Sequence, residues 1–218
     1  KVKEKAVEAF EDVLLYMNRS YKEYCRRGGH VYTPLPYKVR VYTWEEFYNE
    51  LLTFHGNRFK VFITKYANDL HKDNPSMDLR DFSVNVINEA WKWSVDKSPV
   101  VVIYYSSLFS SRIEMTGKTD NERRLLESVK KSIESVQEHS NKSIVVKMFY
   151  PYISDSSFMA LSDDPEELIA LEKNMPSWGS KYHHPIEDIL KINVPVVNIG
   201  TYGKDGHKFT ERVHMKYT

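Results

Sequence analysis

Three apolar, β-branched runs constrain this chain most: Val100–Tyr105, Ser143–Phe149 and Val194–Ile199. Val100-Val-Val-Ile-Tyr-Tyr105 is apolar throughout, as expected of a strand buried on both faces. A helical pattern over about 120–139 separates the first run from the second. It places Leu125, Val129, Ile133 and Val136 at helical spacing. Helices at about 165–173 and 185–190 separate the second run from the third. Strand, helix, strand, helix, strand predicts an α/β class with all three strands in one sheet.

The first ninety-five residues have a different texture. Residues 2–26 read as one amphipathic helix, with Val2, Ala6, Phe10, Val13 and Leu14 on one face and Gly28-Gly29 as its stop. Lys38–Tyr42 alternates polar and apolar, like a short half-buried strand. Thr43 with Glu46 forms a capping box that starts a helix to about Phe54. Further helices are predicted at about 58–71 and 79–93. Their many aromatics, Trp91 among them, read as the packing of a helical bundle rather than a binding stripe. That bundle is expected to stand apart from the active edge of the sheet.

Composition excludes several classes. The chain has 218 residues, 41% hydrophobic and 28% charged, enough for a real core and a solvated surface. A net charge of +1 gives no bias toward nucleic acid. No apolar run approaches the roughly 20 residues of a membrane span, and no secretory signal is visible. Cys25 is the single cysteine, so no internal disulfide can form and a reducing, cytoplasmic compartment is favoured. The chain starts at Lys1 inside a helix that needs a partner. A fragment of a longer protein is expected, the alternative being a removed tag or leader.

Two strand ends carry the candidate chemistry. Val194–Ile199 runs into a loop with Gly200, Gly203 and Gly206, then His207, with Glu211 four residues on. Glycines let the backbone turn sharply and approach a ligand. A histidine past the carboxyl end of a buried strand lies where open α/β sheets place sites, and imidazole is the commonest protein metal ligand. An ordinary surface turn reads equally well. Glu211 is either an acid that orients the imidazole or a first-turn acid of a following helix. At the other strand end, Ser154-Asp155 either faces the same crevice or caps a helix. His183-His184 is expected to line surface or pocket, because adjacent residues rarely face one metal. His30, His55, His71, His139 and His214 are expected to be exposed or structurally satisfied. One credible ligand does not make a hydrolytic zinc site, which takes about three protein ligands and an open position.

The same residues carry a resemblance. Pro195–Val213, Phe149-Tyr-Pro-Tyr-Ile-Ser-Asp155, Asn174-Met-Pro-Ser-Trp-Gly179, Ala9–Val13 and Tyr21–Cys25 resemble, nearly end to end, the C-terminal portion of a RocB-type branch of the zinc exopeptidases and amidohydrolases. That family includes carboxypeptidase G, acetylornithine deacetylase and succinyl-diaminopimelate desuccinylase. The resemblance implies two zinc ions held by a His-x-Asp motif, a bridging Asp, a Glu-Glu pair and a late histidine. His207 matches the late histidine, with Glu211 behind it. Ser154-Asp155 matches the rim turn in part, since the usual glycine is absent. Gly203 and Gly206 would line the pocket, and the other ligands would precede Lys1. The implied division is 1–43 as the end of a dimerisation-type lid, 44–95 as a helical insertion and 96–218 as the second half of the catalytic domain. The function expected is hydrolysis of a small amide or peptide, in an arginine-catabolic setting. The isolated chain is expected to be inactive, lacking the N-terminal half of the catalytic domain. A homodimer through the lid is a further expectation. The rival reading is a non-catalytic binding or assembly module with an incomplete metal site.

Overall fold

The computed structural model describes residues 1–106, 108–139, 143–148, 155–200, 203–206 and 208–215, and of Asp155 only the backbone. Seven α-helices occur among them: α1 Val2–Gly28, α2 Trp44–His55, α3 Asn57–Asp73, α4 Leu79–Trp91, α5 Asp120–Glu138, α6 Pro165–Lys173 and α7 Ile186–Ile192. Four short strands accompany them: β1 Val41–Thr43, β2 Val101–Ile103, β3 Gly203–Lys204 and β4 Arg212–Val213. The chain divides into two compact units, residues 1–108 with 165–184 and residues 109–164 with 185–218.

In the first unit, α1 ends as its sequence dictates. Gly29 takes the left-handed conformation (φ 67°), and its N–H reaches the Cys25 carbonyl. Cys25 is buried, the only buried residue of α1. Of the expected apolar face, Ala6, Phe10 and Leu14 are half-buried, whereas Val2 and Val13 are exposed. The capping box at α2 forms as the sequence predicts. Thr43 Oγ1 accepts from the Glu46 N–H (3.2 Å), and the Glu46 carboxylate accepts from the Thr43 N–H (2.8 Å). Asp78 caps α4 by accepting from the Arg80 N–H at 2.8 Å.

The core of this unit lies between α2, α3 and α4. Phe47, Phe59 and Phe82 are wholly buried, with Trp44, Leu51, Ile63, Ala67, Val86 and Ala90 around them. Burying each such phenylalanine stabilises the fold by about 1.5–3 kcal/mol. The aromatic bundle read from sequence is therefore present. Not every aromatic is buried: Phe54 is 67% exposed, and Trp91 sits at the rim, 36% exposed, with Lys97 Nζ 4.7 Å from its ring centroid. Trp93 is the packed indole, against Phe59 and Phe62. Tyr42, Val102 and Tyr104, in or beside the β1–β2 pair, pack on the same core.

Among the described residues, the single three-stranded sheet expected from the apolar runs is not found. β2 pairs in parallel with β1, in the register Val41↔Val101, Tyr42↔Val102, Thr43↔Ile103. Residues 143–148 and 194–199 belong to no ladder. Val145 is 68% exposed and Ile199 85%, so neither run is sandwiched between layers as a central strand would be. Nor is the 100–105 run buried on both faces as predicted, since Val101 is 37% exposed. What holds β2 is the β1 edge and Arg40. The Arg40 guanidinium donates to the carbonyls of Asp96 (3.2 Å) and Ser98 (3.1 Å) and lies 3.4 Å from the Asp96 carboxylate.

In the second unit, α5 starts at Thr119, whose side chain accepts from the Glu122 N–H. Leu125, Val129 and Ile133 are half-buried and Val136 is exposed. β3 and β4 form an antiparallel hairpin, Gly203↔Val213 and Lys204↔Arg212. Among the described residues, no helix is long and apolar enough to cross a membrane.

Candidate functional site

The glycine-rich loop of the second unit closes into the β3–β4 hairpin. A Cβ on Gly203 would stand 2.5 Å from the Arg212 carbonyl oxygen. The glycine thus allows a close approach, here between two strands of backbone. Asp205 turns the chain with φ 60°, and its carboxylate accepts from the Arg212 guanidinium at 2.9 Å. Gly206 has open space around it. Glu211 is exposed, and its N–H donates to the Lys208 carbonyl at 3.0 Å. Strand β4 follows Glu211 directly. No helix begins at Glu211, which corrects the reading of it as a first-turn acid. The innermost pair is Lys204↔Arg212, so the hairpin is not closed by the two-residue turn that Asp-Gly signals.

His207 itself, and Ser154, lie outside the described residues. Asp155 opens a single 3-10 turn, Asp155–Phe158. That turn lies beside the segment leading into the glycine loop. Ser156 Oγ donates to Asn198 Oδ1 at 3.0 Å, and the Val194 N–H donates to the Met159 carbonyl at 3.0 Å. Ser110 Oγ donates to the Ser157 hydroxyl at 2.9 Å, fixing the turn from its other side. The two candidate stretches are therefore neighbours through residues 156–159 and 194–198, although no sheet joins them.

Among the described residues, no three His, Cys, Asp or Glu side chains gather as a metal cluster. The donors expected near the loop, His207 and Glu211, would fall short of a catalytic zinc's usual three protein ligands. Of the remaining histidines, His214 is exposed and the other six divide as follows. His184 is buried, with Nδ1 3.3 Å from the Tyr182 hydroxyl, while His183 is exposed. His55 Nε2 lies 2.7 Å from the Trp93 carbonyl, and His139 Nδ1 3.0 Å from that of Ser135. His30 stacks on Tyr24. His71 Nδ1 is buried without a hydrogen-bond partner.

No family model matches the chain, and no solved structure does. Two curated proteins of Bacillus subtilis (strain 168) are similar over nearly all of it. Protein RocB is 29% identical over 211 residues, covering 97% of this chain and 36% of RocB. The uncharacterized protein YqjN is 23% identical over 218 residues, covering 98% of this chain and 37% of YqjN. The chain thus spans little more than a third of the length of either relative, and its likeness to RocB agrees with the C-terminal, RocB-like portion read from the sequence.

Proposed function

We propose that this chain is the C-terminal portion of a RocB-like, metal-dependent peptidase or amidohydrolase acting on a small amide or peptide. The observation that carries the proposal is the similarity to RocB over 97% of the chain. The neighbouring placement of the 155–158 turn and the segment leading to the glycine loop supports a shared crevice. In this reading His207 binds one of two zinc ions through a ring nitrogen. Glu211 orients the imidazole by accepting its other N–H. Ser154, Asp155, Gly203 and Gly206 line the pocket. Residues 1–43 end the lid, 44–95 are a helical insertion, and 96–218 complete the catalytic domain. Both zinc ions need further ligands from the parent protein upstream of Lys1, and the general base also comes from there. The isolated chain therefore hydrolyses nothing. A cytoplasmic setting in arginine catabolism and a homodimer through the lid come from the family resemblance alone.

The experiment is metal content by elemental analysis, with amidase assays, on the full-length parent and its His207→Ala variant. The proposal expects zinc and activity in the parent, both reduced in the variant while far-UV circular dichroism is unchanged. A metal-free parent without a His-x-Asp and Glu-Glu sequence upstream would favour a binding or assembly module instead.

A further inference from the structure

The first unit carries an open cleft of about 580 Å3 between α2, α3 and the α6 end with its following loop. Its floor is apolar: Ile63 and Ala67 of α3 and Met175 of the loop are all buried. Tyr48 and Trp178, both half-buried, add flat aromatic surface to the walls. Asn49, Thr64 and Asn68 line the same space with side-chain donors and acceptors.

Charge decides what would fit. Glu45, Lys60, Glu172 and Lys173 line the cleft. Lys173 Nζ meets the Glu45 carboxylate at 3.0 Å, and the Glu45 N–H is taken by Asn174 Oδ1. Lys60 and Glu172 make no ion pair among the described residues. One cation and one anion thus remain without an ion pair on a surface of mixed polarity. A simple anion or a simple cation would satisfy only one of them and meet repulsion from the other. A ligand bearing both charges satisfies both, and a flat apolar body suits the aromatic walls.

We propose that this cleft binds a zwitterionic small molecule of the amino-acid type with a flat apolar side chain, its carboxylate toward Lys60 and its ammonium group toward Glu172. This reading stands independently of the hydrolase proposal, because every lining residue belongs to the first unit and none is a candidate metal ligand.

The test titrates the 218-residue chain with L-phenylalanine, phenethylamine and 3-phenylpropionate, following the tryptophan indole N–H resonances by NMR. Saturable binding of L-phenylalanine is expected, with each singly charged analogue roughly tenfold weaker. Lys60→Met should lower phenylalanine affinity to that of phenethylamine. Glu172→Gln should lower it to that of 3-phenylpropionate. Both positions are exposed, and circular dichroism checks that each variant folds. Absence of saturation, equal affinity for all three probes, or phenylalanine binding unchanged in both variants overturns the proposal. None of these results depends on the metal content of the parent protein.

Discussion

The Asn174 side-chain carbonyl accepts a hydrogen bond from the Glu45 backbone N–H at 3.0 Å, across 129 residues of sequence. That N–H is one of the four that the first turn of α2 cannot satisfy internally. The Asn174 main-chain carbonyl also accepts from the Tyr105 N–H at 2.8 Å, just past β2. One residue after α6 thus ties the start of α2 to the exit of the parallel strand pair. Asn174→Ala should destabilise the chain by about 1–2 kcal/mol in urea unfolding. Asn174→Asp, which keeps the acceptor, should recover much of the loss. Equal stability of the alanine variant and the wild type would show that water caps α2 equally well.

Phe59 and Trp91 separate true core from rim. Phe59 is wholly buried, whereas Trp91 is 36% exposed beneath Lys97. Phe59→Ala should cost about 3–5 kcal/mol in chemical denaturation, the range for truncating a buried aromatic. Trp91→Ala should cost well under half as much. A Trp91→Ala loss equal to that of Phe59→Ala would place the indole back in the core.

The helices were legible because their signals are local. Apolar spacing placed α2, α3, α4 and α5 within a few residues, and Thr43 with Glu46 announced a cap that forms as written. The sheet was not legible, because strand pairing joins residues distant in sequence and no single run encodes its partner. Val101–Ile103 meets Val41–Thr43, a strand visible in the sequence but assigned elsewhere. Val194–Ile199 has strand composition and no ladder. At the candidate site, the 155–158 turn neighbours the 194–198 segment, as the shared-crevice reading expects, but no sheet joins them among the described residues. The hairpin was not legible, because no two-residue turn joins Lys204 to Arg212 and Glu211 read as either an orienting acid or a first-turn acid.

Lys3 links the first helix to the cap of the second. Its Nζ lies 2.6 Å from both Glu46 carboxylate oxygens. The ammonium group first, and the Thr43 N–H second, hold the Glu46 carboxyl below its ordinary pKa. A lowered carboxylate pKa contributes stability above the ordinary value and loses it as pH falls through the lowered one. Lys3→Met should therefore be less stable than wild type at pH 7, and the difference should shrink as pH falls through the carboxylate range. Urea midpoints at intervals from pH 7 to pH 2 provide the measurement. A gap that stays constant to the acid end would assign the effect of Lys3 to its methylene stem rather than its charge.

Gly203 and Gly206 look alike in the sequence but differ in what a methyl group would meet. At Gly203 the added carbon would lie 2.5 Å from the Arg212 carbonyl, a backbone atom on the paired strand. A backbone atom cannot swing aside as a flexible side-chain end can, so the strands must part. At Gly206 the carbon would enter open space. Gly203→Ala should therefore open the β3–β4 hairpin, seen as faster hydrogen exchange across 203–213, while Gly206→Ala leaves exchange nearly unchanged. The hairpin fixes both ends of the segment that carries His207. If His207 is a zinc ligand in the full-length protein, Gly203→Ala should also lower metal content there, and Gly206→Ala should not. Full metal content in a Gly203→Ala protein with an opened hairpin would separate His207 from the metal.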